Sequence, residues 1–139
     1  MIRVQQEDFD PGAELEQLRN RLKGSAGAMV SFIGLVRDLN EGEAITGMIL
    51  EHYPGMTEKA LAAIAAEATD RWKLTDAVIV HRVGPLEPND RIVLVVAAGA
   101  HRKEAFRACE FMIDVLKTKA PFWKKEATAR GDRWVTTTG

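Results

Sequence analysis

The sequence predicts an α+β fold, a mostly antiparallel sheet with helices on one side of it. Three observations carry this reading. Several strand-like segments follow one another with no helix between them, which favours hairpins over crossover units. Three other segments repeat their apolar residues at helical spacing. The run Ile92-Val93-Leu94-Val95-Val96 is apolar at every position, as in a central strand covered on both faces. The chain has 139 residues, which fits one domain, residues 1–139. A chain of this length buries roughly two-thirds of its unfolded surface and needs no disulfide or metal to hold a core.

The elements follow in order. Residues 2–4 read as a short edge strand. Residues 11–22 read as a helix, with Asp10 as its N-cap, Pro11 at its first position and Leu15, Leu18 and Leu22 on one face, ended by Gly24. Residues 28–36 alternate: Ala28, Val30 and Phe32 point one way, Met29, Ser31 and Ile33 the other. The polar stretch 38–43 reads as a loop and 44–53 as the returning strand. Pro54-Gly55 breaks it, and a helix follows over 57–72 with Leu61, Ile64, Ala65, Ala68 and Trp72 inward. Strands over 77–83 and 91–98 are joined by a turn containing Gly84, Pro85, Pro88 and Asn89. A long helix over 102–118 has Ala105, Phe106, Cys109, Met112, Ile113 and Leu116 on its core face. After Pro121 come strands over 122–129 and 133–137, separated by the Gly131-Asp132 turn.

Composition excludes several classes. Hydrophobic residues make up 46% and charged residues 28% of the chain, an ordinary globular balance and not that of a disordered or fibrous protein. No apolar run approaches the roughly 20 residues of a membrane helix. The first ten residues, MIRVQQEDFD, have no apolar stretch of the secretory kind. The lone cysteine, Cys109, forms no internal disulfide and points to a cytoplasmic protein. There is no P-loop, no G-x-G-x-x-G and no G-x-S-x-G. His52, His81 and His101 lack metal-ligand spacing, so neither a metal nor a cofactor is expected. A net charge of −1 and few stacking aromatics argue against a nucleic-acid partner.

The charge distribution says more than the total. Residues 1–100 carry 10 Lys and Arg against 15 Asp and Glu, whereas residues 101–139 carry 9 against 5. An anion site is therefore expected around the last third. Its members are His101 and Arg102 at the start of the long helix, where backbone N–H groups and the helix dipole already favour an anion, with Lys117, Lys124 and Lys125, joined by Arg37 at a strand end. Each has a plainer reading. Lys117 complements a helix C-terminus, Lys124 and Lys125 sit on an exposed strand end, His101 and Arg102 line a helix start, and Arg37 pairs with Asp38 or Glu51. Cys109, between Phe106 and Met112, reads as a packed, inert thiol. Two lysines sharing a dry pocket are different: desolvation and like charge both lower an amine pKa, and a neutral amine becomes available as base, acid or nucleophile.

The segments Phe32-Ile33-Gly34-Leu35-Val36-Arg37, Leu50-Glu51-His52-Tyr53-Pro54-Gly55-Met56, His81-Arg82-Val83-Gly84, Ala100-His101-Arg102, Leu116 through Glu126 (LKTKAPFWKKE) and Gly131-Asp132-Arg133-Trp134 occur in this order. Together they resemble the large, catalytic subunit of molybdopterin synthase, over about residues 28–135. The resemblance implies an α/β hammerhead fold with an additional antiparallel sheet. It implies a sulfurtransferase that converts cyclic pyranopterin monophosphate (precursor Z) into molybdopterin by installing a dithiolene. Sulfur would arrive as a thiocarboxylate on the C-terminal Gly-Gly of a small ubiquitin-like subunit, in a heterotetramer around a homodimer of large subunits. By motif position Lys117 and Lys124 match the catalytic lysines. Arg37, His101 and Arg102 match positions that hold the substrate phosphate, with His101 and Arg102 drawn from the second large subunit, and Lys125 is counted with them. Phe32 and Glu126 match pocket-lining or supporting positions. After Trp134 the sequence runs Val135-Thr136-Thr137-Thr138-Gly139, with no basic residue where the resemblance implies a charged tail. Residue chemistry alone leaves two alternatives open: a non-catalytic dimeric module that binds a phosphorylated metabolite, and a lysine Schiff-base enzyme.

Overall fold

A computed structural model describes residues 1–40 and 42–135, with Leu39 and Glu43 described in backbone only. Strand β1 (Ile2–Gln5) leads to helix α1 (Pro11–Leu22) and strands β2 (Ala28–Leu35), β3 (Leu39–Asn40) and β4 (Glu43–His52). Helix α2 (Met56–Trp72) follows, then strands β5 (Asp76–Arg82), β6 (Gly84–Leu86) and β7 (Arg91–Gly99). Helix α3 (Arg102–Lys119) and strands β8 (Phe122–Thr128) and β9 (Gly131–Val135) complete the described chain. Residues 136 and 137, the end of the last predicted strand, lie outside the described residues.

Local chemistry sets the helix ends. The Asp10 carboxylate accepts from the Ala13 N–H at 3.2 Å, Pro11 opens α1, and Lys23 ends it in the left-handed region. At α2 the Glu58 carboxylate accepts from the Gly55 N–H at 2.9 Å. The buried Thr57 hydroxyl accepts from the Tyr53 N–H at 2.9 Å and donates to the Pro121 carbonyl at 3.0 Å, which ties the start of α2 to the chain just before β8. Pro121 cannot extend α3, and its ring turns the chain into β8.

The first sheet has the order β1-β5-β7-β2, with β1 parallel to β5 and the other pairs antiparallel. Its central strand β7 sends Val93, Val95 and Ala97 into one core with Ile79, Leu61, Ile64, Cys109 and Met112. Leu94, Val96 and Ala98 enter a second core with Val78, Val80, Phe9, Leu18 and Leu22. Helix α1 therefore covers one face and α2 and α3 the other. This corrects the expectation of helices on one side, and it accounts for the unbroken apolar run in β7.

The second sheet has the order β3-β4-β8-β9, and β6 pairs with β4. Strands β2 and β4 were expected to form a hairpin. Instead β2 pairs with β7 and β4 pairs with β8, because the intervening segment carries the chain from one sheet to the other. Short β3 and β6, expected as loop and turn, are recruited by β4. Met48, Leu50, Leu86 and Phe122 from this sheet join the α2 and α3 core, so the two sheets share apolar packing. On α3 the buried stripe is Ala105, Ala108, Cys109, Met112 and Leu116. Phe106, expected in the core, is 61% exposed, because the helix turns its alanines toward the sheet.

Gly27, just before β2, donates its N–H to the Gly99 carbonyl at 2.9 Å. A Cβ there would stand 2.2 Å from the Ala100 carbonyl oxygen, a backbone atom with no easy way to yield. Gly27→Ala is expected to lower unfolding free energy by about 1–3 kcal/mol in denaturant titration. A change below about 0.5 kcal/mol would show that the junction before α3 adapts freely.

Candidate active site

Alternation along β8 sorts its side chains. Phe122, Lys124 and Glu126 face inward, and Trp123 and Lys125 face out. Lys124 lies in register with Leu50 of β4, which carries it over the C-terminal end of α3, where Lys117 sits. A cavity forms there, lined by Leu50, His81, Ile92, Leu116, Lys117, Phe122 and Lys124. It offers about 20 Å³ to the centre of a water molecule, room for one or two waters.

Burial is the main reason the Lys117 amine titrates below the ordinary lysine range, and the neighbouring Lys124 ammonium is the second. Glu126 is buried and lies 4.0 Å from Lys124 Nζ. Its carboxylate accepts from Asn40 Nδ2 at 2.9 Å and has Arg133 Nε at 3.5 Å. Arg133 also donates to the Asn40 carbonyl at 2.8 Å, so the β3–β4 turn and β9 both grip Glu126. A carboxylate held this way gives Lys124 a fixed counter-charge on the side away from Lys117.

His81 is the group that sequence reasoning did not assign. It is the penultimate residue of β5, on the same face as Ala77 and Ile79, and is buried. Its ring stacks on Phe122 at 3.9 Å between centroids and 19° between planes. Its Nδ1 lies 2.8 Å from the Arg82 carbonyl. Burial pushes its pKa down to about 3. A histidine directly after the apolar run Ala77-Val78-Ile79-Val80, and in alternation with Ala77 and Ile79, was the signal available in the sequence. Asn40 and Arg133 had none, because their value lies in contacts made across 86 and 93 positions of chain.

The remaining predicted residues divide by position. Lys117, Lys124 and Glu126 come together. Arg37 is exposed just beyond β2, at the sheet end where Leu35 pairs with Arg91 next to cavity-lining Ile92. Phe32 lies on β2, an edge strand, and is 37% exposed. Lys125 lies on the outer face, 3.6 Å from Asp132 and over the Trp134 ring, and does not line the cavity. His101 and Arg102 are exposed at the start of α3, about 24 Å of helix from Lys117, and within one chain they do not reach the cavity.

Fold and cavity define a class: an α+β domain of two sheets that brings two lysine amines together in a narrow, mostly apolar recess. Residues 4–119 match the family described as "MoaE protein", and the chain belongs to that family. It is 60% identical over 134 residues to the molybdopterin synthase catalytic subunit of Ralstonia nicotianae, covering 96% of this chain and 76% of that one. A structure of the molybdopterin biosynthesis MoaE protein of Burkholderia ambifaria superposes with a TM-score of 0.87 at 54% identity, covering 100% of this chain and 90% of that one. Molybdopterin synthase of Staphylococcus aureus superposes with a TM-score of 0.86 at 36% identity, covering 96% and 95%.

Two predictions follow from burial. The folded pKa of His81 lies below its ordinary value, so its contribution to stability is complete above pH 6.5 and is lost as pH falls toward 3. Stability should fall between pH 6.5 and 5 by up to about 1.4 kcal/mol per pH unit on this account. Denaturant titrations of His81→Phe should show a flatter slope there, and an unchanged slope would exclude His81 as the source. Cys109 is buried, and desolvation raises its thiol to about 11. A disulfide reagent at neutral pH should therefore label it only after denaturation.

Proposed function

We propose that this chain is the catalytic subunit of a molybdopterin synthase, residues 1–139 acting as one domain. In this reading it transfers sulfur, in two additions, from the C-terminal thiocarboxylate of a small ubiquitin-like subunit to precursor Z. The observation that carries the reading is the shared cavity of Lys117 and Lys124 in a chain of this family. Lys117, whose amine gives up its proton more readily than an exposed lysine, is the acid/base or covalent group. Lys124, beside the Glu126 carboxylate, stabilises negative charge as it develops. The one thiol in the chain is buried, which supports an outside source of sulfur. A cytoplasmic setting, with neither nucleic acid nor membrane as partner, fits the same reading.

The geometry also supports a site completed by a second copy. Strand β2 is an edge of the first sheet and exposes Met29, Phe32, Ile33 and Leu35. An unpaired apolar edge favours another strand. A two-fold copy pairing antiparallel along β2 sets the start of one β2 against the end of the other. Ala28, at the start, lies beside Gly99, so His101 and Arg102 travel with that end. Arg37 and the lysine cavity lie at the other end. The copy's His101 and Arg102 would then approach Arg37 and the lysines, and a phosphate ester would meet cations from both chains.

Reconstitution with thiocarboxylated small subunit and precursor Z tests both parts. Lys117→Ala should lower dithiolene formation by roughly a hundredfold or more, with Lys59→Ala, on the exposed surface of α2, unaffected. Near-normal turnover by Lys117→Ala removes the catalytic assignment. Mixing Lys117→Ala with Arg102→Ala, each impaired alone, should recover about a quarter of normal activity, since half the dimers are mixed and each of those has one intact site. No recovery on mixing would place both residues in a single-chain site.

A further inference from the structure

The cavity contains a polar group that the reading above leaves without work. The Arg82 carbonyl can only accept, so the proton between it and His81 belongs to Nδ1 at 2.8 Å. A neutral imidazole carries one ring proton, so Nε2 is bare and is an acceptor. His81 borders the cavity, and an acceptor turned into so small a recess is rarely left unsatisfied. Of the other residues lining the cavity, Leu50, Ile92, Leu116 and Phe122 have no side-chain donor; Lys117 and Lys124 do. Lys124 is drawn toward Glu126. That leaves Lys117. The charged or titratable groups facing His81 are Lys117 from α3 and His52 from β4, with Lys124 from β8 across the cavity. A charged imidazole among them would be opposed by burial and by its neighbours, whereas a neutral one adds an acceptor and no charge. The stack on Phe122 fixes the plane of the ring and hence the direction of the Nε2 lone pair.

We propose that His81 is a positioning residue for Lys117: its bare Nε2 accepts a hydrogen bond from one water in the cavity that the Lys117 amine in turn holds, and so aims that amine at the substrate. The proposal rests on Lys117 being the reactive amine. It separates two tasks. Desolvation makes the amine available, and His81 gives it a direction without adding a positive charge.

The test uses the whole chain and two readouts. One is turnover in the reconstituted reaction. The other is the pKa of Lys117, measured from the pH dependence of trace acetylation by acetic anhydride, read by peptide mass spectrometry from about pH 6 to 11. His81→Phe keeps a ring to stack on Phe122 and removes the acceptor. His81→Gln offers a carboxamide oxygen near the Nε2 position. An acceptor favours the ammonium form, so His81→Phe should lower the Lys117 pKa by about one unit and turnover by about ten- to a hundredfold. His81→Gln should recover most of both. A Lys117 pKa identical in wild type and His81→Phe overturns the proposal, as does equal damage by Phe and Gln. Should His81→Phe not fold, His81→Asn, which replaces Nδ1 but not Nε2, is read the same way. Acetylation needs no substrate. A His81-dependent Lys117 pKa in a protein that makes no product supports this proposal and sinks the sulfur-transfer reading alone.

Discussion

Covering β7 on both faces is the constraint from which the rest of the molecule follows. Its side chains alternate between two cores, so a layer of helix is required on each side. Helix α1 supplies one. Helices α2 and α3 supply the other, and α3 must run back along the strand it has just left. That return places the end of α3, and Lys117 with it, beside Ile92 at the beginning of β7. Pro121 and the Thr57 hydrogen bonds then turn the chain so that β8 crosses over this end. Lys124 meets Lys117 where β8 crosses this end of α3.

The electrostatics of the site come from the same packing. Lys117 is low in pKa because apolar side chains replace water around it, and Lys124 adds to the effect. Lys124 is supported by a carboxylate that is itself held from two sides, by Asn40 and by Arg133. Two amines close in sequence thus meet different surroundings, Lys117 among apolar side chains and Lys124 beside a buried carboxylate. Buried groups elsewhere follow the same rule with other results: burial keeps the His81 imidazole neutral and the Cys109 thiol protonated.

Local signals located elements well where they were strong and short-ranged. Asp10 and Pro11 marked the start of α1, and Gly24 its end. Pro54-Gly55 and Pro121 marked the borders of α2 and α3. The errors were errors of partnership. The alternation of β2 and the polar gap before β4 looked like a hairpin, yet each strand found its partner in a different sheet. Phe106 obeyed helical spacing and still faces outward, since the helix settles on Ala105 and Ala108. Lys125 was grouped with Lys124 by adjacency, and the pleat of β8 sends the two to opposite faces.

The sequence by itself determined the helices, most of the strands, the continuous apolar run of β7 and, through the LKTKAPFWKKE segment, the lysines on which the chemistry is proposed to rest. It did so because caps, proline breaks and side-chain periodicity act over a few residues. Only the tertiary structure decided that α1 covers the far face of the sheet, that Glu126 is gripped by Asn40 and Arg133, that His81 shares the cavity with Lys117, and that His101 and Arg102 lie at the opposite end of α3. These depend on desolvation and on contacts between residues tens of positions apart, which exist only once the chain has closed around its cores.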